Sequence, residues 1–342
     1  MWRTIGNRKA VDFLRRGIAA GRTSHAYLIA GPRQIGKMTL AMDLASAMEC
    51  VGDDRPCGEC DQCSRVERRT HTDVRVVGLD ESGSRVRALI SIDQVRTMQR
   101  EASLKPYEGA YRVFVFDEAE RLSEEAANCL LKTLEEPPDQ VVLVLLAVGP
   151  SALLPTLVSR CQVIEMRPVP RPVIATELAE RHGVDASTAD ELARLSAGRP
   201  GWAMEAAGNP ELVEARSQEL DAVGEVVNDG LEKRFAYASG LASSFTRSRE
   251  TGRRSLEVWL DWWRDIMLIR EGAPDLVTNL SKVDTLKSVA TRLSREQIAG
   301  SIQAVHEAIV NLERNVNPRL ALEHMMLILP VLRPSSGQAP SA

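Results

Sequence analysis

The sequence predicts an α/β fold in the first part of the chain and an all-helical one behind it. Three observations carry this. Short continuous apolar runs, AYLIA at 26–30, VFVF at 113–116 and VVLVLLA at 141–147, have the composition of strands buried on both faces of a parallel sheet. Gly31 to Lys37 forms a glycine loop ending in lysine between the first of these strands and a helical run. That strand, loop and helix order belongs to phosphate-binding loops. From about residue 209 onward, only helical periodicity is found.

Composition bounds the functional classes. A chain of 342 residues, 44% hydrophobic and 26% charged, has the make-up of an ordinary globular protein with room for two or three domains. A formal net charge of -4 argues against a free-standing, tight nucleic-acid binder. MWRTIGNRKAVDFLRR lacks the apolar core of a signal peptide, and no run reaches the roughly 18 apolar residues that span a bilayer. A cytoplasmic location, away from membranes, is the expectation.

In chain order, Arg8 to Ala20 reads as an amphipathic helix with Val11, Leu14 and Ile18 on one face. The strand at 26–30 and the loop follow, then a helix from Leu40 to Met48. In the loop, Gly31 and Gly36 let the backbone turn its amides toward phosphates, and Lys37 would neutralise them. Met38 occupies the position of the Ser or Thr whose hydroxyl holds Mg²⁺, and a thioether is a poor ligand for a hard cation. Thr39 comes one residue late, about 100° further round the helix. Gln34 replaces a glycine that such loops often carry. The loop thus keeps its shape and loses part of its chemistry: nucleotide binding stays open, whereas hydrolysis is not expected.

Cys50, Cys57, Cys60 and Cys63 follow as C-x6-C-x2-C-x2-C, in a chain with six cysteines in all. Four closely spaced thiolates suit a closed tetrahedral zinc site that orders an insertion at 50–63 without leaving a position for water. His71 is a surplus donor, expected on the surface or at a cap.

Val74 to Gly78 is a second strand and Ile92 to Ala102 a helix with Ile92, Val95 and Met98 inward. The run at 113–116 ends at Asp117 and Glu118, where a nucleotide-binding sheet places the acids that hold Mg²⁺ and polarise water. Ser123 caps a helix with a stripe of Leu130, Leu131 and Leu134, stopped by Pro137-Pro138. After the strand at 141–147 stand Val148 and Gly149, with no polar residue to sense a terminal phosphate. Leu153 to Val158 leads into Ser159-Arg160-Cys161 and a short strand, Val163 to Met166.

Domain boundaries are placed at 1–167 for the sheet module, 168–207 for a helical lid opened by PVPRPV, and 208–333 for an all-helical domain. Helices there are expected at Glu211–Val227, Leu231–Phe245, Arg253–Arg270, Asp284–Leu293, Arg295–Arg314 and Pro318–Leu332. Trp259, Trp262, Trp263 and Ile266 recur at helical spacing; core is the plain explanation, and at least one is expected at a subunit interface. The Pro, Ser and Gly-rich tail at 334–342 is expected to be disordered.

SHAYLIAGPRQIGK, the cysteine cluster, VFVFDEAERLSEEAANCLLKTLEEPP and LVSRC, in this order, resemble the bacterial DNA polymerase III clamp-loader subunits of the AAA+ superfamily. The likeness is strong over roughly residues 1 to 205 and reaches the C-terminal segment through NVNPRLALEHMML. The resemblance implies an AAA+ module with a zinc-bearing insertion, a lid and a helical collar. It also implies that Ser159-Arg160-Cys161 carries an arginine finger acting in trans on a neighbour's ATP site. Motor subunits of the family, gamma or tau, keep a full loop, a polar sensor and a lid arginine; here Met38, Val148-Gly149 and Gly201 stand in those places. These departures resemble the stator type, delta-prime. The implied role is a scaffold, not an enzyme on its own, within a DNA-directed DNA polymerase holoenzyme. Its implied partners are gamma/tau and delta in a hetero-pentameric ring, and the sliding clamp and primed DNA through the assembled complex. Two alternatives stay open: an ATP-hydrolysing gamma/tau-type motor, and a zinc-dependent adaptor whose arginine is unused.

Overall fold

Five parallel strands, β1 (Ala26–Ala30), β2 (Val74–Val77), β3 (Arg112–Phe116), β4 (Val141–Ala147) and β5 (Gln162–Glu165), form one sheet in the order β2-β3-β4-β1-β5. The computed structural model describes residues 1–79, 89–314 and 316–332. It divides into two units, Met1–Ala207 and Gly208–Ala342. The expected tail at 334–342 lies outside the described residues.

Every residue of β1 and β4 is buried, as their uninterrupted apolar sequences require of central strands. Register levels their ends. Ala30 lies beside Ala147 of β4 and Glu165 of β5, and Phe116 of β3 beside Leu145 of β4. Gly31 and Asp117 therefore emerge at the same, carboxyl end of the sheet. Ligands of open α/β sheets bind at this end.

The helices of this unit are α1 (Arg8–Ala19), α2 (Lys37–Glu49), α3 (Asp61–Glu67), α4 (Ile92–Ala102), α5 (Glu124–Glu135), α6 (Pro155–Val158), α7 (Arg171–His182), α8 (Ala186–Leu195) and α9 (Pro200–Gly208). α2 is buried from Leu40 to Glu49 and starts at Lys37, three residues before its expected start. Gly36, at φ 102°, makes the turn from which it springs. Ser123 caps α5 as expected, accepting from the Ala126 N–H at 3.1 Å. Leu153 and Leu154 are extended, and Pro155, which can only begin a helix, opens the single turn of α6 ahead of Ser159.

The second unit contains α10 (Glu211–Asn228), α11 (Leu231–Arg247), α12 (Arg249–Arg270), α13 (Val283–Arg292), α14 (Arg295–Glu313) and α15 (Pro318–Ile328), with no strand among its described residues. One expectation is corrected here. Trp259, Trp262, Trp263 and Ile266 are all 0–1% exposed inside this unit's own core, so none can anchor a partner. The core closes so tightly on them that Gly224 of α10 lies against the Trp262 ring, where a Cβ would stand 3.3 Å from it.

A buried cation ties this unit together. Arg234 in α11, 1% exposed, donates to the carbonyls of Val226, Val227 and Asp229 at the end of α10 and of Met326, Leu329 and Pro330 at the end of α15, at 2.7 to 3.3 Å. Helix C-termini are the negative ends of their dipoles and leave carbonyls unsatisfied, so one guanidinium serves two helices. Arg234→Met should therefore cost about 3 kcal/mol or more, since buried carbonyls lose charged donors. The measurement is urea unfolding followed by the fluorescence of the buried tryptophans of α12.

Candidate functional site

The phosphate loop is shaped as the sequence implies and tied down by its own chain. Gly31 approaches the Met166 carbonyl so closely that a Cβ there would lie 2.7 Å from it. Lys37 Nζ donates to the carbonyls of Gly31 at 2.7 Å and Pro32 at 3.0 Å. Burial pushes its pKa down to about 8, against the pull of Glu120, Asp117 and Glu118. Gln34 stands at φ 58°, the left-handed backbone that the replaced glycine would adopt freely.

Gln34 also fixes the lid. Its carbonyl accepts from the Gly201 N–H at 2.9 Å, and its Nε2 donates to Glu205 Oε2 at 2.8 Å. A Cβ on Gly201 would lie 2.8 Å from the Gln34 carbonyl oxygen, so α9 sits on the loop only because residue 201 is glycine. Arg199 donates to the Ser196 carbonyl of its own turn at 2.9 Å. Met38 and Thr39 border a cavity of about 530 Å³ between α2 and the lid, with Ile5, Met42, Arg181 and Met204.

Asp117 and Glu118 lie at the end of β3, as expected, but Glu118 is engaged on both oxygens. Arg33 of the loop pairs with one, and Arg121 Nε holds the other at 2.6 Å. Arg33 Nη2 is also 3.7 Å from Glu120. Burial would raise the Glu118 pKa, yet Arg33 and then Arg121 hold it below the usual carboxylate range. Asp117 is shifted up by burial and by the neighbouring charge of Glu118. Burial raises Glu120, whose Oε2 is enclosed without a hydrogen-bond partner. Arg33 and Glu120 escaped the sequence reading.

Cys50, Cys57, Cys60 and Cys63 converge, with all four sulfurs within 4.8 Å of one another. A tetrahedral ion with Zn–S of about 2.3 Å needs sulfurs about 3.8 Å apart, so modest contraction would complete the shell. Backbone N–H groups already face the sulfurs: Gly52 and Cys57 donate to Cys50 Sγ at 3.3 Å and Cys60 to Cys57 Sγ at 3.4 Å. N–H bonds, from Glu59 first, hold the Cys57 thiol down to about 6, which favours the thiolate that a metal binds. The donor set fits a structural Zn²⁺. His71 is a correction: it is buried rather than on the surface. Its Nδ1 accepts from the Asp73 N–H at 3.1 Å and its Nε2 meets Gln62 Oε1 at 2.7 Å, so it stays apart from the four thiols.

Arg160 lies far from the loop in the sheet's own geometry. It precedes β5, at the amino end of the strands, whereas the loop leaves their carboxyl ends. Its Nη2 rests on Glu135 Oε1 of α5 at 2.6 Å and its Nη1 donates to the Thr156 carbonyl at 3.0 Å. The strands of a parallel sheet separate the two, so Arg160 cannot serve the site of its own chain.

A family model described as DNA polymerase III, delta subunit, matches residues 6–170. The DNA polymerase III subunit delta' of Bacillus subtilis (strain 168) is 29% identical over 94% of this chain and 95% of its own length. The DNA polymerase III subunit gamma/tau of Mycobacterium tuberculosis (strain ATCC 25618 / H37Rv) is 26% identical over 99% of this chain; the chain spans 62% of that protein. Among solved structures, a DNA polymerase III gamma subunit-related protein from Thermotoga maritima aligns at a TM-score of 0.42 and 20% identity, covering 93% of this chain and 98% of that one. The family match lies over the sheet, the loop and the cysteine cluster, and the likeness to the delta' subunit runs nearly end to end.

Proposed function

We propose that this chain is the delta-prime, stator-type subunit of the clamp loader, a non-hydrolysing scaffold that completes a neighbour's ATP site. The observation that carries this is the contact between Gly201 and the phosphate loop. Where a motor subunit would place a lid arginine, the lid here lies backbone to backbone on Gln34. Met38 removes the hydroxyl ligand, and no polar side chain follows β4 at Val148 and Gly149. Gly31, Gly36, Lys37, Asp117 and Glu118 keep the outline of a nucleotide site. A bound nucleotide there would be held by the loop without being turned over.

Catalytic participation falls to Arg160, reaching into the ATP site of an adjoining gamma/tau subunit and facing its terminal phosphate. Zn²⁺ held by Cys50, Cys57, Cys60 and Cys63 would order the insertion. The helical unit acts as the collar of a hetero-pentameric ring with gamma/tau and delta. That assembly opens the sliding clamp with ATP and leaves it on primed DNA, where contacts with DNA would go to the phosphate backbone.

The test is the DNA- and clamp-stimulated ATPase of the reconstituted clamp loader carrying Lys37→Ala in this chain. No change is expected, because hydrolysis takes place elsewhere. A fall in rate in a correctly assembled complex would assign turnover to this chain and favour the gamma/tau-type motor.

A further inference from the structure

The residues at the end of β3 do not fit a divalent cation as those of a working ATPase would. Three acids, Asp117, Glu118 and Glu120, gather there, and in a Mg²⁺-dependent site such acids face the metal. Here Glu118 and Glu120 face Arg33, which extends from the phosphate loop with its side chain only 15% exposed. It pairs with Glu118 and lies 3.7 Å from Glu120, while Arg121 closes the other oxygen of Glu118. With Lys37, three basic groups stand among these acids in the described residues, so the carboxylates are engaged by the chain's own cations.

We propose that Arg33 is an internal cation that takes the place of the divalent metal and excludes it from this loop. Adding two positive charges beside a fixed guanidinium, in a half-enclosed site where water screens poorly, is electrostatically opposed. Met38 alone would not achieve this, since a lost hydroxyl ligand can be replaced by water in an octahedral shell. Arg33 instead occupies the carboxylates themselves. Its position between Pro32 and Gln34 also links the exclusion to the loop's shape, because Gln34 carries the lid contact. The inference deepens the non-hydrolysing reading of this site, and its test reads metal rather than turnover.

The experiment is Mn²⁺ titration of the full chain in its zinc-loaded form, followed by electron paramagnetic resonance. Mn²⁺ prefers oxygen ligands and leaves a closed thiolate site alone. The wild-type chain should bind none at this site. Arg33→Gln should bind one equivalent at least about tenfold more tightly, the effect of removing a single facing charge. Adding Asp117→Asn to that variant should abolish the gain. Arg33→Lys, which keeps the charge, should behave as wild type. A folded Arg33→Gln chain with wild-type Mn²⁺ affinity overturns the proposal. So does a saturable Mn²⁺ site in the wild-type chain that Asp117→Asn removes, a measurement that stands even if the glutamine variant does not fold. Lys37-dependent turnover in the assembled loader would overturn the stator reading and leave the Mn²⁺ result as it stands.

Discussion

Arg160→Ala in this chain should slow hydrolysis at the adjoining motor site by about 10³-fold or more, the usual loss when an arginine finger is removed. In free energy this is about 4 to 7 kcal/mol of transition-state stabilisation. Such a loss greatly exceeds what the surface pair it makes here could be worth, since exposed ion pairs contribute at most about 1 kcal/mol. In a single-turnover experiment on the reconstituted loader, one site's share of the fast phase should disappear. Arg160→Lys should recover little, because an ammonium cannot present two donors in a fixed plane. Glu135→Gln is the control. It loosens the resting contact at 2.6 Å without removing the guanidinium, so the fast phase should persist. An undiminished fast phase in the alanine variant would leave the zinc-dependent adaptor as the better description.

Removal of the metal should have the largest effect on folding. A four-thiolate zinc site contributes on the order of 10 kcal/mol of apparent binding energy at neutral pH, more than the margin by which most domains are stable. The purified chain should release one equivalent of zinc to a strong chelator after thiol modification, and Cys57→Ser should release it without modification. Amide exchange should then accelerate from Cys50 to Glu67, the span of the cysteine cluster and α3. Protection should also fall at the end of α2. Glu49 there accepts from the Ala110 and Tyr111 N–H groups at 2.9 and 3.2 Å, next to the first thiolate. A chain that holds no zinc under reducing conditions and shows the same exchange after chelation would remove the metal from the account.

Much of the sheet was legible because its signals are local. AYLIA and VVLVLLA coincide with β1 and β4 from first to last residue, since a central strand needs only a run of apolar residues. Helices in the second unit fall within a few residues of their expected ends for the same reason, their periodicity being complete within each segment. Lys37 reaches Gly31 and lies near Asp117, and the four cysteines converge separately, each cluster drawn from residues close in the chain or fixed by the sheet. What escaped depends on partners distant in sequence. Nothing local marks Arg33 between Pro32 and Gln34, and its carboxylate partner is 85 residues away. Nothing local marks Arg234 as buried, and the carbonyls at the end of α15 that it serves lie 92 to 96 residues on. The tryptophans of α12 illustrate the converse: periodicity places them on a face, but only the packing of α10, α11, α13 and α14 decides that this face looks inward.

The separation of Arg160 from the phosphate loop gives the chain a direction. One end of its sheet offers an arginine outward, and the other would receive one if it held a working site. Contacts of this kind are heterologous, joining the front of one subunit to the back of the next, and they generate rows rather than symmetric pairs. In such a row a subunit whose receiving end is occupied by its own side chains has no use for a donor behind it. On the proposed stator reading such a subunit stands at one end of the row, where this chain would supply the first motor and take no donor itself.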